Sequence, residues 1–163
     1  MSKIPELDKV DMLILSYLMK DAKMAYTEIA KILLISSGTV HVRMKKMEEL
    51  GIIKSSNLIV NYEKLGYDIT AFIGIHLKNS NLYNLVAQKL IDIPEVIDVH
   101  YTTGEYAMFI KIVCRDTKHL REVLHDKLQG IEEITRTETF ISLEESINRP
   151  IQIDVDYEEE AHS

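Results

Sequence analysis

Between Ser36 and Met47 the chain places Ser37, Gly38 and Thr39 just ahead of His41, Arg43, Lys45 and Lys46. These residue types suit a double-stranded nucleic acid. Small side chains let a backbone approach a groove, an imidazole offers a hydrogen bond to a base edge, and basic side chains neutralise phosphates. On a helical wheel with Val40 at zero, Met44 and Met47 fall within about 40 degrees of it. Gly38, Thr39, His41, Val42, Lys45 and Lys46 point away. One face packs and the other stays in solvent. A basic solvated face on an ordinary helical hairpin would show the same local spacing, so the surrounding elements must decide.

Asp8 is placed to cap a first helix, in which Val10, Leu13, Ile14, Tyr17 and Leu18 recur at three- and four-residue steps. A second short helix is predicted over Glu28 to Leu34, with Ile29, Ile32 and Leu33 available for one face. Leu34-Ile35-Ser36 then joins it to the third, for which Ser36 is the N-cap. Glu48, Glu49 and Leu50 finish that third helix, and Gly51 is its C-prime residue. The order and lengths are those of a helix-turn-helix.

From Ile69 the period changes to two. Ile69, Ala71, Ile73, Ile75 and Leu77 alternate with Thr70, Phe72, Gly74, His76 and Lys78. A helix carrying Leu82, Leu85, Val86 and Leu90 follows, then a strand from Val96 to Thr102. A turn at Thr103-Gly104-Glu105 leads to another strand from Tyr106 to Cys114. A helix capped by Asp116 or Thr117, with Leu120, Val123, Leu124 and Leu128 on one side, precedes a last strand from Ile134 to Leu143. This βαββαβ order is the split βαβ pattern of ferredoxin-like folds, and the whole chain is predicted to be α+β. Two helices cover only one sheet face. The other is expected to meet the same face of a second copy in a homodimer.

Composition narrows the function. The 163 residues contain one cysteine and no tryptophan, and their net charge of −7 is unevenly divided. Residues 1–66 carry a net +2 and residues 67–163 a net −9. Apolar runs such as Ile29 to Ile35 are far shorter than the roughly 20 residues a membrane helix needs. Met1 to Asp8 lacks the apolar core of a signal peptide, so a cytoplasmic protein is expected. Cys114 has no internal disulfide partner and reads as a small buried hydrophobe. The histidines at 41, 76, 100, 119, 125 and 162 show no ligand spacing with cysteine or a paired acid. No catalytic residue, metal site or cofactor is expected.

Several segments carry a family resemblance up to about Asn148. They are Leu7-Asp8 with Asp11 and Ile14-Leu15, Thr27-Glu28-Ile29-Ala30, Ile35-Ser36, Thr39-Val40, Arg43, Lys46 and Gly51-Ile52-Ile53. Lys64-Leu65-Gly66-Tyr67, Thr103-Gly104 and Leu143-Glu144-Glu145 continue the series. The chain resembles the Lrp/AsnC, or feast/famine, regulators. The resemblance implies an N-terminal winged or plain helix-turn-helix and a C-terminal effector domain. It also implies dimers or larger rings that bind DNA and sense amino acids. The expected layout is a DNA-binding domain over residues 1–53, an extended connector over 54–66, an effector and oligomerisation domain over 67–147 and an acidic tail over 148–163. Ser36, Ser37, Gly38, Thr39, His41, Val42, Arg43, Lys45 and Lys46 become the expected DNA contacts, with the last three basic residues on phosphates.

The resemblance also places an effector at an interface between dimers, near the hairpin and the last strand. The matching residues are Thr103, Gly104, Glu105, Tyr106 and Ala107, with Thr137 and Thr139. Gly104 would admit a ligand carboxylate close to the backbone. Ala107 stands where many members carry an aspartate that pairs with a ligand ammonium. Glu105 is the nearby carboxylate, but it is expected on the opposite side of the pleat. Leu34 departs as well, standing where members often have glycine, and must avoid or tolerate positive φ. Pro150 to Tyr157 alternates like an edge strand. The rival reading is a small-molecule-sensing oligomer whose helix-turn-helix contacts protein rather than DNA.

Overall fold

The computed structural model describes residues 5–153. They fall into two compact units, residues 5–58 together with 148–153, and residues 59–147.

In the first unit, α1 (Lys9–Lys20) opens with a reciprocal capping box. The Asp8 carboxylate accepts the Asp11 N–H at 2.9 Å, and the Asp11 carboxylate accepts the Asp8 N–H at 3.3 Å. α2 spans Tyr26–Ile32, starting and stopping two residues earlier than its periodicity predicts. It stops because Leu34 turns left-handed, at φ 55°. That conformation crowds Cβ against the next carbonyl at a cost of about 1 kcal/mol. The Leu34 side chain is 92% exposed, so the turn is tolerated rather than avoided. α3 (Ser37–Glu49) begins where Ser36 Oγ accepts the Thr39 N–H at 3.0 Å and ends with Gly51 at φ 70°. Ile14, Leu15, Ile29, Ala30, Val40, Met44 and Met47 form the core of the three helices, and Ile153 of the tail packs against it. Residues 150–153 form no strand, and the remainder of the expected edge strand lies outside the described residues.

In the second unit, β1 (Ile69–Leu77), α4 (Tyr83–Ile91), β2 (Val96–Tyr101), β3 (Met108–Cys114), α5 (Thr117–Glu122) and β4 (Ile134–Ile141) follow the expected βαββαβ order. The sheet runs β2-β3-β1-β4 with every pairing antiparallel. Ala71, Ile73 and Ile75 lie opposite Ile112, Ile110 and Met108, and all six are fully buried with Val86, Leu90, Val123 and Leu128. The period-two run of β1 therefore sets the core face directly. The helix after β3 changes character midway, because residues Val123–Leu128 continue α5 as a π-helix. That turn keeps Val123 and Leu128 inward and leaves Leu124 only partly buried.

The hairpin differs from its prediction. β2 ends at Tyr101 and β3 starts at Met108, so Thr102 to Ala107 is a loop rather than a tight three-residue turn. Thr102 Oγ1 donates to the Tyr106 carbonyl at 2.7 Å, and Gly104 sits at φ 110°. β4 stops at Ile141, two residues short of its predicted end.

One buried polar group ties this unit together. Glu95, just before β2, accepts Lys127 Nζ on both oxygens at 2.7 Å. His119 Nδ1 accepts the Arg115 N–H at 3.2 Å, so Nε2 carries the proton and donates to Glu95 at 2.9 Å. Burial pushes the Glu95 carboxyl up, but Lys127, its own backbone N–H and His119 together hold it below the ordinary 4.5. Cys114 is buried as expected, and burial pushes its thiol up to about 11.

Candidate nucleic-acid interface and effector hairpin

The third helix carries the expected DNA contacts, and its orientation is fixed by charge as well as by packing. Arg43 Nη1 donates to Asp8 at 2.6 Å and to Asp11 at 2.7 Å, and Lys46 Nζ lies 3.4 Å from Asp11. Asp11 is fully buried. The Arg43 guanidinium and the Asp11 N–H hold the Asp8 carboxyl below its ordinary range, and the two carboxylates raise Arg43 in turn. In this structure the Arg43 guanidinium is turned to these two carboxylates rather than outward with Lys45. Its charge is spent holding α3 against the start of α1. The Asp8-x-x-Asp11 capping signal was visible in the sequence, but the cross-helix partner was not.

The other residues sort by what they already do. Ser36 and Thr39 bond to each other, with their hydroxyl oxygens 2.8 Å apart, and form the cap. Ser37, Gly38, His41, Val42, Lys45 and Lys46 face solvent. Val42 is 71% exposed, an apolar side chain held outward on a face that core packing does not use. The His41 ring packs edge-on against Tyr26 of α2 at 4.6 Å, which fixes its direction. Lys45 pairs with Glu49 at 3.8 Å on the exposed surface. The arrangement is a helix with a rigid seat and an outer face of small, apolar and basic groups.

The expected effector residues divide differently. Thr103, Gly104 and Glu105 are exposed on the hairpin loop. The Tyr106 ring folds over β1 at Gly74, where an added Cβ would come within 2.5 Å of it. Its hydroxyl donates to Glu138 at 2.9 Å. Tyr106, Phe109 and Phe140 form an aromatic group on the uncovered sheet face, and Phe72 stacks on Phe109 at 6.0 Å. Thr137 and Thr139 pair with Ile75 and Ile73, so they project to the helix-covered side. One chain therefore does not bring the hairpin and the two threonines to a single point.

Glu105 corrects its expected placement. Its carboxylate lies with His76 and Glu138 in one cluster, all ligand atoms within 4.8 Å of one another, beside Tyr106 on the uncovered face. No sequence spacing announces this cluster, since its members come from β1, the hairpin and β4.

With the geometry in hand, similarity to known proteins places the chain. Residues 7–54 match the winged helix-turn-helix DNA-binding family model, and residues 70–151 match the Lrp/AsnC ligand binding domain. The chain is 44% identical over 146 residues to the regulatory protein AsnC of Haemophilus influenzae, covering 90% of this chain and 97% of that protein. The structure of E. coli AsnC superposes with a TM-score of 0.85 at 43% identity, covering 91% of this chain and all of that one. A transcriptional regulator from Neisseria meningitidis, solved in complex with L-Met, shares the fold with a TM-score of 0.83 at 20% identity. That match covers 93% of this chain and 98% of that one.

Proposed function

The chain belongs to the Lrp/AsnC family of regulators, and from that premise we propose that it is a sequence-specific DNA-binding transcriptional regulator. The observation that carries the reading is the outer face of α3. It offers Ser37, Gly38, His41, Val42, Lys45 and Lys46 to a groove, while the Arg43 clamp holds the helix in a fixed attitude. It acts as a homodimer or a larger assembly, with paired helices reading two half-sites. The aromatic face of the second unit supports the dimer, because two helices cannot cover both sides of its sheet. Such a protein works beside the chromosome in the cytoplasm, and no helix among the described residues is long and apolar enough to cross a membrane.

Regulation by an amino acid at an interface between copies extends this reading. The split of Thr137 and Thr139 from the hairpin supports it, since a second copy is needed to bring both sets to one ligand. The relative solved with L-Met is a precedent in the same fold. Ala107 points to contacts other than an aspartate pairing with the ligand ammonium. The role is regulatory rather than catalytic.

The test is binding of duplex fragments from the protein's own genome at low ionic strength, followed by a salt titration. Retention of particular fragments with a log-affinity that falls linearly against log salt is expected. Failure to retain any duplex overturns the reading in favour of a protein-contacting helix-turn-helix, which the spent charge of Arg43 makes the natural rival. Light scattering with each amino acid in turn tests the effector, because a ligand at an interface shifts assembly if it binds one state better.

A further inference from the structure

We propose that His76, Glu105 and Glu138 form a binding site for one divalent transition-metal ion such as Zn2+. Zn2+ accepts one imidazole nitrogen and carboxylate oxygens at about 2.0 to 2.2 Å, and catalytic or regulatory sites often take three protein ligands plus water. Here the three donors come from separate elements. His76 lies on β1 opposite Arg136, and Glu138 lies on β4 opposite Gly74, so His76 and Glu138 are diagonal neighbours on the uncovered face. Glu105 reaches them from the hairpin loop, and the three ligand atoms lie within 4.8 Å of one another.

The imidazole supplies the argument that acidity alone does not. His76 Nε2 is shielded from solvent and has no hydrogen-bond partner among the described residues. A polar atom left so costs stability, and native structures rarely leave one without a use. A Glu138 oxygen lies 3.9 Å from it, too far for a hydrogen bond. Donors on one tetrahedral ion with bonds of about 2 Å stand about 3.3 Å apart, so a small side-chain rotation brings the pair to an ion.

Supporting contacts fix the donors. Tyr106 donates to the second Glu138 oxygen at 2.9 Å and packs edge-on against the His76 ring at 5.2 Å, and Gly74 makes the room for that tyrosine. Outer contacts of this kind orient metal ligands. Arg136 pairs with Glu138 and is the internal cation a metal would displace. Its side chain is 66% exposed, so it can swing into solvent. The three donors belong to one chain, so the site is tested apart from DNA binding, while Glu105 is shared with the candidate effector hairpin.

The experiment uses the full chain, stripped with a chelator, dialysed and titrated with Zn2+ against a chromophoric competitor. One ion per chain is expected, and Co2+ in its place should give a visible d–d band. Glu105→Gln, on an exposed loop with no packing role, should weaken Zn2+ binding by at least about tenfold, and His76→Ala by more. Glu132→Gln, an exposed acid elsewhere, should leave it unchanged. Substoichiometric binding, or equal affinity in the parent and Glu105→Gln, overturns the site even if His76→Ala fails to fold.

Discussion

Each unit buries one carboxylate against two cationic or proton-donating partners, yet the two clusters do different work. Asp11 draws Arg43 and Lys46 inward from α3, the helix that carries the candidate DNA contacts. Glu95 draws Lys127 and His119 together at the end of β2 opposite the hairpin, and no candidate contact depends on it. The first cluster sets the direction of a working surface and lowers its charge. The second holds the end of a sheet to a helix. A buried acid is thus a weak sign of function until its partners are known.

The largest effect should come from Arg43→Ala. It leaves buried Asp11 with Lys46 at 3.4 Å as its remaining cation and the Asp8 N–H at 3.3 Å, so the first unit should lose about 3 kcal/mol in chemical unfolding. DNA affinity should fall without the change in salt slope that marks a lost phosphate contact. A slope reduced by a full contact would mean that Arg43 leaves its clamp on DNA.

Next in size is the acid response of the second unit. The folded Glu95 pKa lies below its ordinary 4.5, so its contribution is present above that value and is lost as pH falls through the lower, folded one. Unfolding of the parent should therefore ease below about pH 4.5. Glu95→Gln should be less stable at neutral pH and flatter across the acid range. Parallel pH curves for the two proteins would remove Glu95 from that role.

Lys45→Ala sharpens the contrast from the other side. Lys45 is 77% exposed and, among the described residues, held by a long pair to Glu49, so the substitution should leave stability nearly unchanged. It should reduce the salt slope of DNA binding by about one. An unchanged slope with a folded protein would show that Lys45 touches no phosphate. The smallest effect is expected from Leu34→Gly. Removing Cβ from a left-handed, exposed position should raise stability by about 0.5 kcal/mol, after the greater chain entropy of glycine is set against the relieved strain. A loss in thermal unfolding would mean that Leu34 makes contacts its exposure does not suggest.

Local chemistry was legible in the chain itself. Asp8 and Ser36 as caps, Gly51 as a helix stop, the buried stripe of Val40, Met44 and Met47 and the period-two run of β1 all depend on neighbours within a few residues. Helical and strand periods report such neighbours directly. What only the tertiary structure decided were partnerships across tens of residues. Arg43 with Asp8 and Asp11, Tyr106 over Gly74, and His76 with Glu105 and Glu138 are set by which elements pack side by side. A charged side chain reads the same in sequence whether it meets a phosphate or a buried carboxylate, because the energy that chooses between them depends on distance and burial.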